Sequence, residues 1–354
     1  MHFTSLLAGA LATTLVAAHP GHDHTAEMAE RAEMLSQFTR RDLGHCAEQI
    51  KARGLEARNI ARRTKLHTKL SKKAHLKNRD LSDLNKTHHS TCNYNLDTPL
   101  GTIFSGNNTC VLSPEVTEGP YYVAGEFVRK DITEGQAGVP VTLDIQVIDM
   151  ETCEPLSGAY LEIWHCNTTG VYSGVVAGGN GDQNPANINS TFLRGLQLTD
   201  ADGVAQFETL FPGHYTGRAP HIHAMVHPDA VEQANGTIMD TTASHVGQVF
   251  FDQALIDQVE ATGVYKTNTQ PLMLNANDGI LRQEAATTDP FVEYVLLGDT
   301  VEEGLLGWIA FAVNSTLHKE VSAAVRLYDT GGVANPNAGP PGGGPPGGFP
   351  GGPP

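Results

Sequence analysis

Between about Leu96 and Thr330, apolar and polar residues alternate in short runs: "VPVTLDIQVID", "AYLEIWHC", "GVAQFETL", "PHIHAMVH" and "VGQVFF". Successive side chains of a strand point to opposite faces, so a period of two marks β-strands with one face buried. Gly, Pro, Asn and Asp bound the runs, and strands of this length and spacing predict a mainly β fold with a β-sandwich core. A segment of this size can bury one sizeable core.

The flanks carry other patterns. From His24 to Leu81 there is no proline, and Ala, Leu, Glu, Lys and Arg dominate, so helix is predicted. Apolar positions are sparse there, so this arm either packs against the domain behind it or is loosely held. The last stretch, "GGVANPNAGPPGGGPPGGFPGGPP", has too few apolar residues to pack and lacks the strict Gly-X-Y repeat of collagen, so disorder is expected. The first, "MHFTSLLAGALATTLVAAHP", has an apolar run followed by small residues and reads as a secretory signal peptide cut after Ala18. The expected organisation is a signal peptide (1–18), a basic helical arm (19–95), a β-sandwich domain (96–330) and a disordered Gly/Pro-rich tail (331–354). No later apolar stretch reaches the roughly 18 residues that a membrane helix needs, so membrane insertion is not expected.

Charge and cysteine content sharpen this picture. Residues 19–95 carry 15 Lys/Arg against 9 Asp/Glu, whereas residues 96–354 carry 8 against 30. A strongly acidic domain behind the arm would repel phosphate, which argues against a nucleic-acid partner. The pairs Arg40-Arg41, Arg62-Arg63 and Lys72-Lys73 offer sites for a processing protease or, more plainly, positions on a solvated helix face. Six Asn-x-Ser/Thr sequons, at Asn85, Asn107, Asn167, Asn189, Asn235 and Asn314, fit a secreted, extracellular glycoprotein. Five cysteines in an oxidising compartment leave at least one thiol unpaired within the chain. Cys153 and Cys166 should not pair, because an extended strand separates them by far more than the roughly 7 Å a disulfide tolerates.

The candidate chemistry concentrates around "GRAPHIHAMV". His221 and His223 are two residues apart in a strand pattern, so both imidazoles share one face and could chelate one ion; taken alone, such a pair is more often a partly solvated strand face. Upstream, Tyr215 follows a Pro-Gly turn in "TLFPGHYTGRAPHIHA", and Tyr172 closes the strand and turn "AYLEIWHCNTTGVYSG". Taken separately, each tyrosine reads as an ordinary amphipathic packing residue. No Cys-x-x-Cys pair suggests structural zinc.

The segments "GAYLEIWHCNTTGVYSG", "RGLQLTDADGVAQFETLFPGHYTGRAPHIHAMV" and "VGQVFF", with "SPEVTEGPYYVAGEFVRKDITEG" and "DPFVEYVLLGDTVEEGLLGWIAF", resemble the intradiol ring-cleavage (catechol-type) dioxygenases, in particular a secreted, fungal-type branch. The likeness spans nearly all of the β domain and neither the arm nor the tail. It implies that Tyr172, Tyr215, His221 and His223 ligate Fe(III), that Arg218 stabilises negative charge building on the substrate, and that Gln248 orients Arg218. It further implies an enzyme that uses O2 to open a small aromatic diol between its hydroxyls, giving a cis,cis-muconate-type diacid. Tyr172 is expected to be held by its packed strand, whereas Tyr215, with glycine on both sides in "FPGHYTG", is expected to swing aside and take a substrate proton.

Tyr121 and Tyr122 in "EGPYY" are expected either to contact substrate or to pack, and Trp164 to lie near the site as core or pocket wall, while His214, His227 and His245 read as hydrogen-bonding or surface groups and His165 as a residue at the end of a strand. Glycosylation at Asn167, five residues before Tyr172, would crowd the site. The motifs leave open which diol is used (catechol, hydroxyquinol, protocatechuate or a lignin-derived relative) and how many subunits assemble. Two other readings are a secreted metal-binding protein, taking copper on His19 and the imidazoles of "HPGHDH", and an inactive β-sandwich binding module. Neither gives a reason for Tyr172, Tyr215, Arg218 and Gln248 to accompany the histidine pair.

Overall fold

The alternating runs form strands of two facing sheets in a computed structural model that describes residues 43–73, 109–111, 119–176, 182–285 and 288–336. In chain order the strands of these sheets are β1 (Thr109–Val111), β2 (Pro140–Asp149), β3 (Tyr160–Trp164), β4 (Arg194–Leu198), β5 (Val204–Leu210), β6 (His221–His227), β7 (His245–Phe250), β8 (Glu293–Leu296) and β9 (Leu305–Val313). One sheet runs β1-β9-β2-β5, with β8 sharing the edge of β9 that β1 occupies. The other runs β7-β6-β3-β4 and is antiparallel throughout. Between them lie Val141, Leu143, Ile145 and Val147 of β2, Leu161 and Ile163 of β3, and Ile222, Ala224 and Val226 of β6. Fully burying a Val, Leu or Ile side chain contributes about 1.5–3 kcal/mol, so the predicted sandwich has its predicted core.

Alternation would send the remaining residues of β2 to solvent, yet Thr142, Asp144, Gln146 and Ile148 are all buried. The arm covers them. Helices α1 (Ala47–Ala52) and α2 (Leu55–Lys73) lie across this outer face. Arg62 forks onto Asp144 with two contacts of 2.9 Å, Arg63 adds a third at 3.3 Å, and Asn59 donates to Gln146 at 2.8 Å. Leu66, with Ile60 and Leu70, packs on Leu306 and Trp308, and Cys46 is disulfide-bonded to Cys153. Of the two states expected for the arm, packing is the one adopted. Its sparse apolar residues suffice because its arginines answer a buried carboxylate. Burial alone would raise the Asp144 carboxyl, but the hydrogen bonds and charges of Arg62 and Arg63 outweigh it and hold the group below the ordinary carboxylate range. Arg63 is fully buried, so Arg62-Arg63 is neither a solvated pair nor open to a protease. Arg40-Arg41 and Cys92 lie outside the described residues, as do residues 1–18, expected as a signal peptide, and residues 337–354. Cys166 is a buried free thiol.

The fold also reaches into the segment expected to be disordered: Gly331–Ala334 pairs with Val325–Tyr328, which pairs in turn with Val123–Ala124. Composition weighs side-chain burial, whereas this strand is held by backbone pairing and by a bond from the Gly332 amide to Asn189 Oδ1. Among the described residues no helix is long and apolar enough to cross a membrane.

Candidate metal centre

Because Ile222, Ala224 and Val226 of β6 enter the core, His221 and His223 project from the opposite face of the sheet. Cross-strand register aligns Trp164 of β3, His223 of β6 and Gln248 of β7 in one row, and sets Phe250 opposite His221. Such an outer face is commonly wet in an antiparallel sheet. Here both histidines are 1% exposed, because the Tyr172 loop after β3, the Tyr215 loop between β5 and β6, and the segment 119–124 close over them.

The four predicted ligands form one ring of contacts. Centroid separations are 4.8 Å for His221 and His223, 5.7 Å for Tyr215 and His221, 5.6 Å for Tyr172 and Tyr215, and 6.1 Å for Tyr172 and His223. His221 Nδ1 lies 2.7 Å from the Ala219 carbonyl and donates to it. Its Nε2 lone pair therefore faces inward, where it meets His223 Nε2 at 3.1 Å and the Tyr215 hydroxyl at 3.4 Å. Orientation of a ring by a carbonyl on its far nitrogen is the usual support of a metal-binding histidine.

Burial, assisted by the Arg218 charge, holds His221 well below the ordinary histidine range; burial and the neighbouring His221 do the same to His223. Both rings are thus neutral donors. Burial likewise pushes the Tyr172 and Tyr215 phenols well above their usual value, a preference that a multiply charged cation among them would reverse. Two oxygen and two nitrogen donors converging in a dry site fit a hard or borderline trivalent ion.

Arg218 is held from two sides. Its Nε donates to Asp278 Oδ2 at 2.9 Å and its Nη2 to Gln248 Oε1 at 2.5 Å, while its buried Nη1 has no hydrogen-bond partner. Burial opposes the charge, but the Asp278 carboxylate prevails and keeps the guanidinium ionised. The predicted Gln248 contact is present. Asp278 was not foreseen: it lies 60 residues downstream. It also accepts from the Ala219 amide and, through Oδ1, from the amides of Ile280 and Leu281 at the start of α3, which here denotes Gly279–Ala285. "NDGILRQE" does carry an N-cap signal, but nothing in it points to Arg218.

The three pocket candidates divide. Trp164 stacks flat on His223 at 4.7 Å, and Tyr121 stacks on Tyr172 at 4.6 Å with its edge toward Tyr215. Tyr122 turns to the back of Trp164, and its hydroxyl donates to the Asp240 carbonyl at 3.3 Å. A Cβ on Gly119 would meet His223 at 3.2 Å, so this position in "EGPYY" suits glycine by close approach. Behind Tyr172, the fully buried Arg194 ties the two aromatic segments together by donating to the carbonyls of Tyr121 and Ser173. Its guanidinium lies 5.8 Å from the Tyr172 ring.

The bland readings of four histidines agree with their contacts. His165 bonds Thr209, His214 bonds Glu260, His227 bonds Glu162, and His245 accepts from the Asn314 amide. Asn167 Oδ1 caps the turn before Tyr172 by accepting from the amides of Thr169 and Val171. A surface cavity of about 560 Å³, bordered by Thr216, Gly217, Leu272, Met273 and Arg282, lies beside the Tyr215 loop, and none of the four ligand rings lines it.

The expectation of a swinging Tyr215 loop needs correction. A Cβ at Gly213 would meet the Asn167 carbonyl at 2.3 Å, so this glycine serves close packing rather than freedom. The backbone on either side of Tyr215 is pinned as well, at the His214 carbonyl by Asn268 and at the Thr216 amide by Gln270.

Over part of its length the chain is similar to known dioxygenases. The family model described as Dioxygenase matches residues 117–249. Catechol 1,2-dioxygenase 1 of Acinetobacter lwoffii is 30% identical over 145 residues, covering 34% of this chain and 44% of that protein. Catechol 1,2-dioxygenase of Candida albicans is 34% identical over 105 residues, covering 27% of this chain and 31% of that protein. The chain thus spans less than half the length of these curated relatives. The solved intradiol ring-cleavage dioxygenase from Tetranychus urticae is 32% identical, with 59% of this chain matching 97% of that one at a TM-score of 0.48.

Proposed function

We propose that this chain is a member of the intradiol ring-cleavage dioxygenase family, a secreted enzyme that holds Fe(III) on Tyr172, Tyr215, His221 and His223. With O2 it opens a small aromatic diol between the two hydroxyls to a muconate-type diacid. The observation that carries this reading is the convergence of the two phenols and the His221 lone pair on His223 in a site closed to water. Ferric iron bound there supplies Lewis acidity and a template for a chelating diol.

The remaining roles fall to the chain's own groups. The unpartnered Nη1 of Arg218 offers a fixed cation to negative charge building on the substrate ring, and a charge preorganised in a dry site is worth most. Asp278 and Gln248 keep that guanidinium from turning away. The Tyr215 oxygen takes a proton from one substrate hydroxyl. Tyr121 and Trp164 wall the site with aromatic faces and exclude water. The leader before His19 and the sequons support secretion and glycosylation.

Incubation of the iron-loaded protein with catechol under isotopically labelled O2 tests the reaction. The expected product is a muconate-type diacid carrying both labelled atoms. A semialdehyde, or bound metal without catechol consumption, would contradict the proposal, the second result favouring a binding protein.

A further inference from the structure

Tyr172 and Tyr215 stand on separate loops, 43 positions apart in the chain, and the spacing of their oxygens depends on how those loops are joined. The join is made from a third segment. The Gln270 side-chain amide donates from Nε2 to the Thr169 carbonyl at 2.9 Å and accepts on Oε1 from the Thr216 amide at 3.1 Å. One planar group therefore touches the loop of Tyr172 and the loop of Tyr215 at once. The Gln270 backbone carbonyl accepts from His214 Nε2 at 2.8 Å, and Asn268 Nδ2 bonds the His214 and Thr168 carbonyls at 2.7 and 3.3 Å. The amide seats only because residue 170 is glycine. A Cβ there would meet Gln270 Nε2 and the His214 carbonyl at 2.3 Å, and the residue has φ +81°.

We propose that Gln270 is a positioning residue that sets the distance between the two phenol-bearing loops. It touches neither phenol and acts through backbone at Thr169 and Thr216. The inference rests on the reading of Tyr172 and Tyr215 as iron ligands. Outer groups that orient metal ligands typically govern affinity by one to two powers of ten. Gln270 is partly exposed at the edge of the fold, so its replacement leaves the sandwich core intact.

The test compares wild type with Gln270→Ala, Gln270→Asn and Gln270→Glu for iron content, rate of iron release to a chelator and thermal unfolding of the metal-free protein. Gln270→Ala is expected to release iron about tenfold faster with the metal-free unfolding temperature nearly unchanged. Gln270→Asn has the same amide on a stem one carbon shorter, cannot reach both loops, and should behave like alanine. Gln270→Glu keeps the acceptor for Thr216 and loses the donor for Thr169, so its release rate should lie between. Equal release rates for wild type and Gln270→Ala would overturn the inference. So would a fall in metal-free stability that accounts for the whole change. Wild type without iron would instead remove the ligand reading beneath it.

Discussion

Two buried polar clusters lie on the outer faces of the two sheets, and they are built on opposite principles. Under the arm, Asp144 meets Arg62, Arg63 and Gln206, and Gln146 meets Asn59. Charge faces opposite charge, and acceptors face donors. Under the tyrosine loops, two neutral imidazoles and two neutral phenols turn their heteroatoms toward one another, and nearby atoms such as His223 Nδ1, Arg218 Nη1 and Gln248 Nε2 have no hydrogen-bond partner. Buried polar groups are normally satisfied. A cluster that answers itself is a joint, whereas one that gathers donors of a single kind suits a cation and an anionic substrate.

The largest effects should separate the two clusters completely. His221→Ala or His223→Ala breaks the chelating pair and should lose most of the bound iron while the arm stays docked, read by elemental analysis beside thermal unfolding. Asp144→Ala should do the reverse, keeping iron but destabilising the fold by about 3 kcal/mol, because it removes the buried carboxylate that Arg62 and Arg63 share. Removal of the arm up to residue 95 should be worse still, since it also breaks the Cys46–Cys153 bond. The arm is a structural layer rather than a dispensable cover.

Within the site, Arg218→Ala is expected to retain iron and slow turnover by about two to three powers of ten, the usual scale for one electrostatic stabiliser. An unchanged kcat would remove Arg218 from the chemistry. Asp278→Asn should show a smaller version of the same loss.

The smallest effects concern pH. The Asp144 carboxyl is depressed in the folded state, so its contribution is fully present above its unfolded pKa, about 4, and is lost as pH falls through the native value. His227 behaves oppositely. Burial would lower it, but Asp240, Glu162 and the Thr242 carbonyl surround the ring with acceptors and push it up to about 9. Its contribution is therefore present below about pH 6.5 and lost as pH rises through about 9. Unfolding temperatures across pH 6–10 should fall for wild type and stay flatter for His227→Gln.

These contrasts also explain what could be read from the chain. Period-two alternation identified which residues of β2 and β6 share a face, and it placed His221 beside His223 correctly. It does not say what covers a face. Thus Asp144 and Gln146 read as solvent-facing, although an arm 80 residues upstream buries them. The four proposed ligands were legible as candidates because they lie in short motifs on strands or turns. Asp278 and Gln270 were not, because each acts across more than 50 residues through a contact that no local pattern encodes. The glycines around Tyr215 misled for a related reason. Sequence shows that a position tolerates unusual backbone geometry, and only packing shows whether that tolerance is used for motion or for close contact, as at Gly213 against the Asn167 carbonyl.

The central claim is that four rings hold one ferric ion through two phenolates. Purified protein loaded with iron in air, then desalted, should retain about one iron per chain and show a reddish phenolate-to-iron absorption, weakened in Tyr172→Phe and in Tyr215→Phe. Folded protein that stays colourless and releases all its iron on desalting would contradict the account at its base.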